Sequence, residues 1–125
     1  RDEAHLVEPI VESASDGTTA ALRLSLPALL ALVSSADLVV SNDTGPLHLA
    51  IAAGTPTVGL FWVGNLINAG PFSRRQHRPL LSWRMLCPVC GTDASVDRCE
   101  HNPSFIAEIP VRSVIDAATD LLQAR

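Results

Sequence analysis

The chain contains no lysine, so each of its nine basic residues is an arginine. Asp and Glu are absent from Thr44 to Thr92, a stretch that holds Arg74, Arg75, Arg78 and Arg84 together with His48 and His77. A region with positive charge and no acids suits an anionic ligand. The same bias arises where helix and strand are buried, because acids are rare there. No apolar run approaches the roughly 20 residues that span a bilayer; Ala28 to Val33 and Thr57 to Val63 are among the longest, which excludes a transmembrane segment. There is no charged-then-apolar leader of the secretory kind, and neither an internal repeat nor a low-complexity tract. The expectation is a soluble, cytoplasmic protein. A formal charge of −4 gives no general case for nucleic acid.

What is present describes one domain. At 125 residues and 47% hydrophobic content the chain supports one core and is too short for two, and disorder is excluded. Arg1-Asp2-Glu3 runs directly into a helical pattern, as expected of a domain excised from a longer protein. Leu6, Val7, Ile10, Val11 and Ala14 give residues 2–14 a helical spacing with one buried stripe, and Asp16-Gly17 ends it. Residues 20–24 read as a short strand. Ser25 has the character of an N-cap, with Pro27 in the first turn of a helix through Val33. Residues 37–41 are a strand covered on both faces. The polar turn Asn42-Asp43-Thr44-Gly45 follows, then a helix over 46–53 closed by Gly54, then a buried strand over 57–62. This alternation predicts an α/β fold, a doubly wound parallel sheet with helices on both faces. From Val63 the pattern breaks into a long loop punctuated by Gly64-Asn65, Gly70-Pro71 and Arg78-Pro79, with a short strand over 80–83. A cysteine-rich loop occupies 87–101, and 111–122 is a final amphipathic helix. Loops this long in small domains are more often functional than idle.

The turn at Asp43 stands where open α/β sheets bind ligands, beyond the carboxyl end of a strand. Gly45 permits close backbone approach or an unusual φ, and Pro46 fits the first helical position. The free N–H groups of Thr44, Gly45, Leu47 and His48 would surround the positive end of the helix dipole, a ready phosphate site. Thr44 adds a hydroxyl and His48 a ring N–H. The bland alternative is a capped helix start with His48 merely packing.

The wider run carries more information. Ser-Leu-Pro-x-Leu from Ser25, Ala-Asp-Leu-Val-Val-Ser-Asn-Asp-Thr-Gly-Pro-Leu-His-Leu-Ala from Ala36, and Ala-Ala-Gly-Thr-Pro-Thr-Val-Gly-Leu-Phe from Ala52 closely resemble glycosyltransferase family nine. That is the family of ADP-heptose:lipopolysaccharide heptosyltransferases. The resemblance implies the GT-B architecture, two Rossmann-like domains with the active site between them, of which this chain looks like the C-terminal, donor-binding half. By resemblance, Asp43 contacts the sugar hydroxyls, Thr44 and Gly45 bind the diphosphate through the main chain, and Pro46, Leu47 and His48 complete the site. Transfer would be inverting and need no metal cofactor. The catalytic base would lie on the N-terminal domain, absent here, so this chain alone would bind donor weakly and transfer nothing. The implied partners are a nucleotide-diphosphate sugar and, through the missing domain, an acceptor glycolipid or glycan of the cell envelope, with a location peripheral to the inner membrane. Glu3 could take ribose hydroxyls, or be an exposed helix-start carboxylate. Where many family members continue Gly-Pro-Thr, this chain has Trp62-Val63-Gly64-Asn65, which puts the donor sugar in doubt. Trp62 is a candidate to pack on base or sugar, Asn65 and Asn68 to bond sugar hydroxyls, and Arg74, Arg75 and Arg78 to face the donor diphosphate or a phosphorylated acceptor.

Cys87-x-x-Cys90 followed by Cys99-x-His101 has zinc-like pairing, and four soft ligands in a loop without other core suit a small structural zinc. Free buried thiols are the competing reading. A disulfide is not expected in the cytoplasm. Relatives with Cys-Pro-x-Cys-Gly usually carry a further Cys, and Phe105 stands near that place. Two other functions remain open: a non-catalytic Rossmann-like binding module, and a GT-B type sugar epimerase domain.

Overall fold

The computed structural model describes residues 4–14 and 16–124. Helix α1 spans Ala4–Ser13 and α2 spans Leu26–Ser35; strand β1 spans Val39–Asn42, α3 Gly45–Ala52, β2 Thr57–Trp62, α4 Val63–Ala69, β3 His77–Ser82 and α5 Val111–Gln123. The three strands form one parallel sheet in the order β1-β2-β3. Parallel neighbours require a crossover between each pair of strands, and α3 and α4 supply the two crossovers.

Side chains alternate between the faces of a strand, so β2 reports what covers each side. Thr57, Gly59 and Phe61 share one face, and a Cβ at Gly59 would come within 2.9 Å of Leu47 in α3. Val58, Leu60 and Trp62 share the other. Their β3 neighbours Arg78, Leu80 and Ser82 lie on that same side, where Arg78 reaches Asp120 of α5. Helices therefore pack on both faces of the sheet, a Rossmann-like α/β arrangement. The cover is incomplete at β1, expected to be covered on both faces: α5 packs on β2 and β3, and Val40 is left exposed. Val33, Leu47, Ala50, Val58, Phe61 and Leu121 form the buried centre. Burying each such side chain contributes on the order of 1.5–3 kcal/mol.

Local chemistry explains several boundaries. Ser25 caps α2, its hydroxyl accepting from Ala28 N at 3.4 Å. Gly54 closes the α3 end at φ +78, a region few L-residues enter. Thr55, also buried, donates its hydroxyl to Val33 O at 2.8 Å and so ties the start of β2 to α2.

Four further expectations change. Residues 20–24 form no strand: Arg23 sits at φ +55, outside the β region, and Leu22 and Leu24 remain exposed. A strand needs a hydrogen-bonding edge, and this segment pairs with none of the three strands. The stripe of α1 is not buried, with Leu6 and Ile10 exposed; only Val7 and Val11 are half-covered, facing Ala20 and Leu22 across a small cleft. The segment after Val63 is helical, because Leu66 and Ala69 sustain a turn that Gly64 and the two asparagines disguise, and Gly70 N–H closes it on Leu66 O at 2.9 Å. Strand β3 starts at His77 and takes in Pro79, which an edge strand accommodates.

Candidate functional site

Strand β1 delivers Asp43 to the carboxyl edge of the sheet. Its N–H donates to Leu60 O at 3.0 Å, so Asp43 continues the ladder for one bond before the chain turns. Thr44 is the N-cap of α3, in extended conformation, yet its hydroxyl does not cap the helix. It donates to Asn42 O at 3.2 Å and lies 3.3 Å from the hydroxyl of Ser41. The Asp43 carboxylate, only 12% exposed at its side chain, accepts from His48 Nε2 at 2.9 Å. That bond fixes the proton on Nε2 and leaves Nδ1 facing away from Asp43. His48 itself is half-exposed.

The free N–H set is smaller than the spacing suggested. Leu47 N and His48 N both donate to Thr44 O, at 3.0 and 3.3 Å. Pro46 has no N–H, so the groups left to face a ligand are those of Thr44 and Gly45. Leu47 also contributes no side chain: it is fully buried against the sheet and holds the turn from beneath. Gly45 has no positive φ, which removes the conformational reason for glycine. A Cβ built there meets nothing within 4 Å. The bare backbone at position 45 thus borders open space at the positive end of α3, where main-chain N–H groups suit an anion.

The other residues singled out in the sequence scatter. Glu3 lies outside the described residues. Trp62 ends β2, donates its indole N–H to Arg84 O at 2.8 Å and tilts against Phe105, with ring centroids 5.8 Å apart. It borders a cavity of about 490 Å³ with Arg98, Cys99, His101, Asn102 and Phe105. None of the residues of the Asp43 turn lines that cavity. The turn therefore offers its main-chain N–H groups on an open surface rather than in a deep cavity. Arg74 and Arg75 are exposed. Arg78 is committed to the fold, with two nitrogens on Asp120 Oδ2 at 3.0 and 2.7 Å and a third on Arg74 O at 2.6 Å. Asn68 bonds Gly64 O at 3.4 Å within α4, and Asn65 is exposed on the same helix.

Arg84 and Phe105, unassigned by pattern, belong to a polar knot that sequence reasoning missed. Buried Ser82 shares its hydroxyl proton between Phe105 O and the Glu108 carboxylate, the latter at 2.7 Å. Arg84 meets Glu108 through its N–H at 2.9 Å and its guanidinium at 3.2 Å. Bonds from Ser82, then Arg84, hold the Glu108 carboxyl below its ordinary range. No local signal marks this knot, since its members lie on opposite sides of the cysteine-rich loop.

In that loop, Cys87, Cys90, Cys99 and His101 converge, with ligand atoms all within 4.8 Å of one another. Cys87 is buried, whereas Cys90 is exposed and Cys99 half-buried, so buried thiols acting as apolar filler describe only the first. Hydrogen bonds from Thr92 bring the Cys90 thiol down to about 6. A hydrogen bond with the His101 main chain lowers the Cys99 thiol, but burial and the neighbouring Cys87 and Cys90 thiols outweigh it and leave its pKa raised.

A three-stranded parallel sheet packed against helices, with a polar Asp-Thr-Gly-Pro turn at a strand end, defines the class of Rossmann-like α/β domains. The family comparison is more specific: the sequence profile of glycosyltransferase family 9 (heptosyltransferase) matches residues 1–85. The chain belongs to that family. Lipopolysaccharide core heptosyltransferase OpsX of Haemophilus influenzae is 41% identical over 56 residues, 45% of this chain and 16% of its own length. Lipopolysaccharide heptosyltransferase 3 of Escherichia coli is 27% identical over 124 residues, 98% of this chain and 35% of its own. Lipopolysaccharide heptosyltransferase 1 of Campylobacter coli is 39% identical over 46 residues, 37% of this chain and 14% of its own. The chain thus spans at most about a third of these curated relatives. No solved structure matches. Among the described residues no helix is long and apolar enough to cross a membrane.

Proposed function

We propose that this chain is the donor-binding part of an inverting heptosyltransferase acting in lipopolysaccharide core synthesis, the C-terminal half of a GT-B enzyme. The observation that carries the reading is the start of α3: Gly45 borders open space, the Thr44 and Gly45 N–H groups are left to a ligand, and the Asp43–His48 pair stands one turn away. The diphosphate of a nucleotide sugar sits over Thr44 and Gly45. As the sugar leaves, negative charge grows on the terminal phosphate. The N-terminal partial charge of α3, roughly half an elementary charge, and the Thr44 and Gly45 N–H groups stabilise it. Asp43 orients His48 and presents its second oxygen to a sugar hydroxyl. No metal enters this step. The acceptor and the base that deprotonates it are contributed by the other half of the enzyme, so the chain alone binds without turnover. Lipopolysaccharide core is the target by analogy with the lipopolysaccharide heptosyltransferase relatives, and ADP-heptose is the donor by the family resemblance.

Calorimetric titration with ADP and with ADP-heptose tests the reading. Binding of both is expected, with Asp43→Ala weakening it at least tenfold while the melting temperature holds within a few degrees. Failure of either nucleotide to bind the wild-type chain at millimolar concentration would overturn it.

A further inference from the structure

We propose that Cys87, Cys90, Cys99 and His101 form a closed structural zinc site that organises the loop between β3 and α5. This goes beyond the glycosyltransferase reading, since the family match ends at residue 85, before the first of these ligands.

The geometry is that of a site about to close. A tetrahedral zinc with Zn–S bonds near 2.3 Å sets its ligand atoms about 3.8 Å apart. The four atoms here already lie within 4.8 Å of one another, so closing on a metal needs shifts of about 1 Å or less, mostly in side chains. Two features of the backbone prepare the first pair. Cys87 N–H donates to Thr92 O at 2.8 Å, and Gly91 N–H to Cys87 O at 2.9 Å, folding residues 87–92 into a tight turn. Gly91 holds φ +74, which spares the turn a side chain in the left-handed region. The Leu86–Asp93 bridge and the bond from Ala94 N to Met85 O, at 2.8 Å, clamp its base. The second pair arrives on one short segment, with only Glu100 between Cys99 and His101.

Residues 83–110 contain no helix or strand, and Cys87 is their one fully buried residue. A segment with so little core is the setting in which small protein units rely on a metal. Three thiolates and one imidazole in tetrahedral reach select zinc over harder divalent ions. All four positions are filled by protein, so no place remains for a reacting water and the role is structural. On binding, the three thiols lose their protons to solvent and the imidazole coordinates through an unprotonated nitrogen. A Cys87–Cys90 disulfide would engage two of the four groups and leave the convergence of Cys99 and His101 without a purpose. Cys99 and His101 also wall the cavity beside Trp62, so the metal would fix that wall.

The test uses the full chain purified without a histidine tag. Elemental analysis is expected to return one zinc per chain, and exchange with Co2+ to give the intense visible bands of tetrahedral thiolate coordination. Cys90→Ser and His101→Ala should each weaken Co2+ binding at least tenfold. Chelation of the wild-type protein should speed amide exchange across 85–105 while β1 and β2 stay protected. Zinc well below one per chain, together with a weak octahedral Co2+ spectrum, would overturn the proposal. So would a Cys87–Cys90 disulfide in protein isolated anaerobically. Because the Co2+ spectrum is read on wild-type protein, a variant that fails to fold does not shield the proposal.

Discussion

Two glycines, at positions 45 and 59, carry opposite meanings. At Gly59 an added Cβ would stand 2.6 Å from the Phe61 ring and 2.9 Å from Leu47, so Gly59→Ala must displace packed side chains. Overpacking of this kind costs about 1–3 kcal/mol, and urea denaturation should show it. At Gly45 the added atom meets nothing, and the backbone lies in a region open to any residue. Gly45→Val should leave urea stability within about 0.5 kcal/mol and reduce nucleotide affinity at least tenfold in the same titration used for Asp43→Ala. Equal loss of stability in both variants would mean that Gly45 is a packing residue. The position of Asp43 and His48 at a strand-to-helix turn was legible in the motif, but their mutual bond was not. A five-residue spacing across a strand-to-helix turn does not by itself bring two side chains together; the ladder bond from Asp43 N to Leu60 O does so, by fixing where the helix begins.

Elements were legible where their period was strong. The β2 strand and the α5 helix follow from uninterrupted apolar runs and a clear amphipathic spacing, and their limits match expectation within a residue. Residues 20–24 show the converse. Their composition suits a strand, but a strand is a property of two chains side by side, and the partner is what sequence pattern does not supply. Helix α4 was hidden for a local reason, since Gly64, Asn65 and Asn68 are turn formers that here lie on a short crossover. The docking of α5 depends mainly on apolar burial at Leu121, with Arg78 and Asp120 adding an exposed ion pair. Such pairs are worth about 0–1 kcal/mol. Asp120→Asn should therefore shift the urea midpoint only slightly, whereas Leu121→Ala should cost about 2–5 kcal/mol. The reverse ranking would make the ion pair the anchor.

At the scale of the whole molecule, the acid response follows from described groups whose protonation opposes the fold, among them His77, Glu108 and Asp93, the last held low by hydrogen bonds from Ser95. His77 is buried with its Nδ1 3.0 Å from the Thr57 hydroxyl, and burial lowers its pKa. Unfolding returns it to an ordinary value of about 6.5. Since the unfolded chain binds the proton more readily, stability is full above that value and is lost as pH falls through it towards the folded-state pKa. Glu108 behaves likewise at lower pH, its contribution present above the ordinary carboxylate range and lost as pH falls through its depressed value. Chemical denaturation between pH 8 and pH 3 should show two successive declines, the first removed by His77→Gln and the second reduced by Glu108→Gln. A first decline that survives His77→Gln would place its origin elsewhere. The knot around Glu108 was the least legible part of the chain, because its order comes from contacts between Ser82, Arg84, Phe105 and Glu108 rather than from any periodic pattern. The vacant space in front of Gly45 has a consequence for how such a sequence is filtered. In a variant library screened only for survival of protease digestion, position 45 should admit alanine, serine and larger residues while position 59 stays glycine. Screened instead for retention on an immobilised nucleotide, both positions should close. The gap between the two screens at position 45 would separate selection for a folded chain from selection for an occupied one.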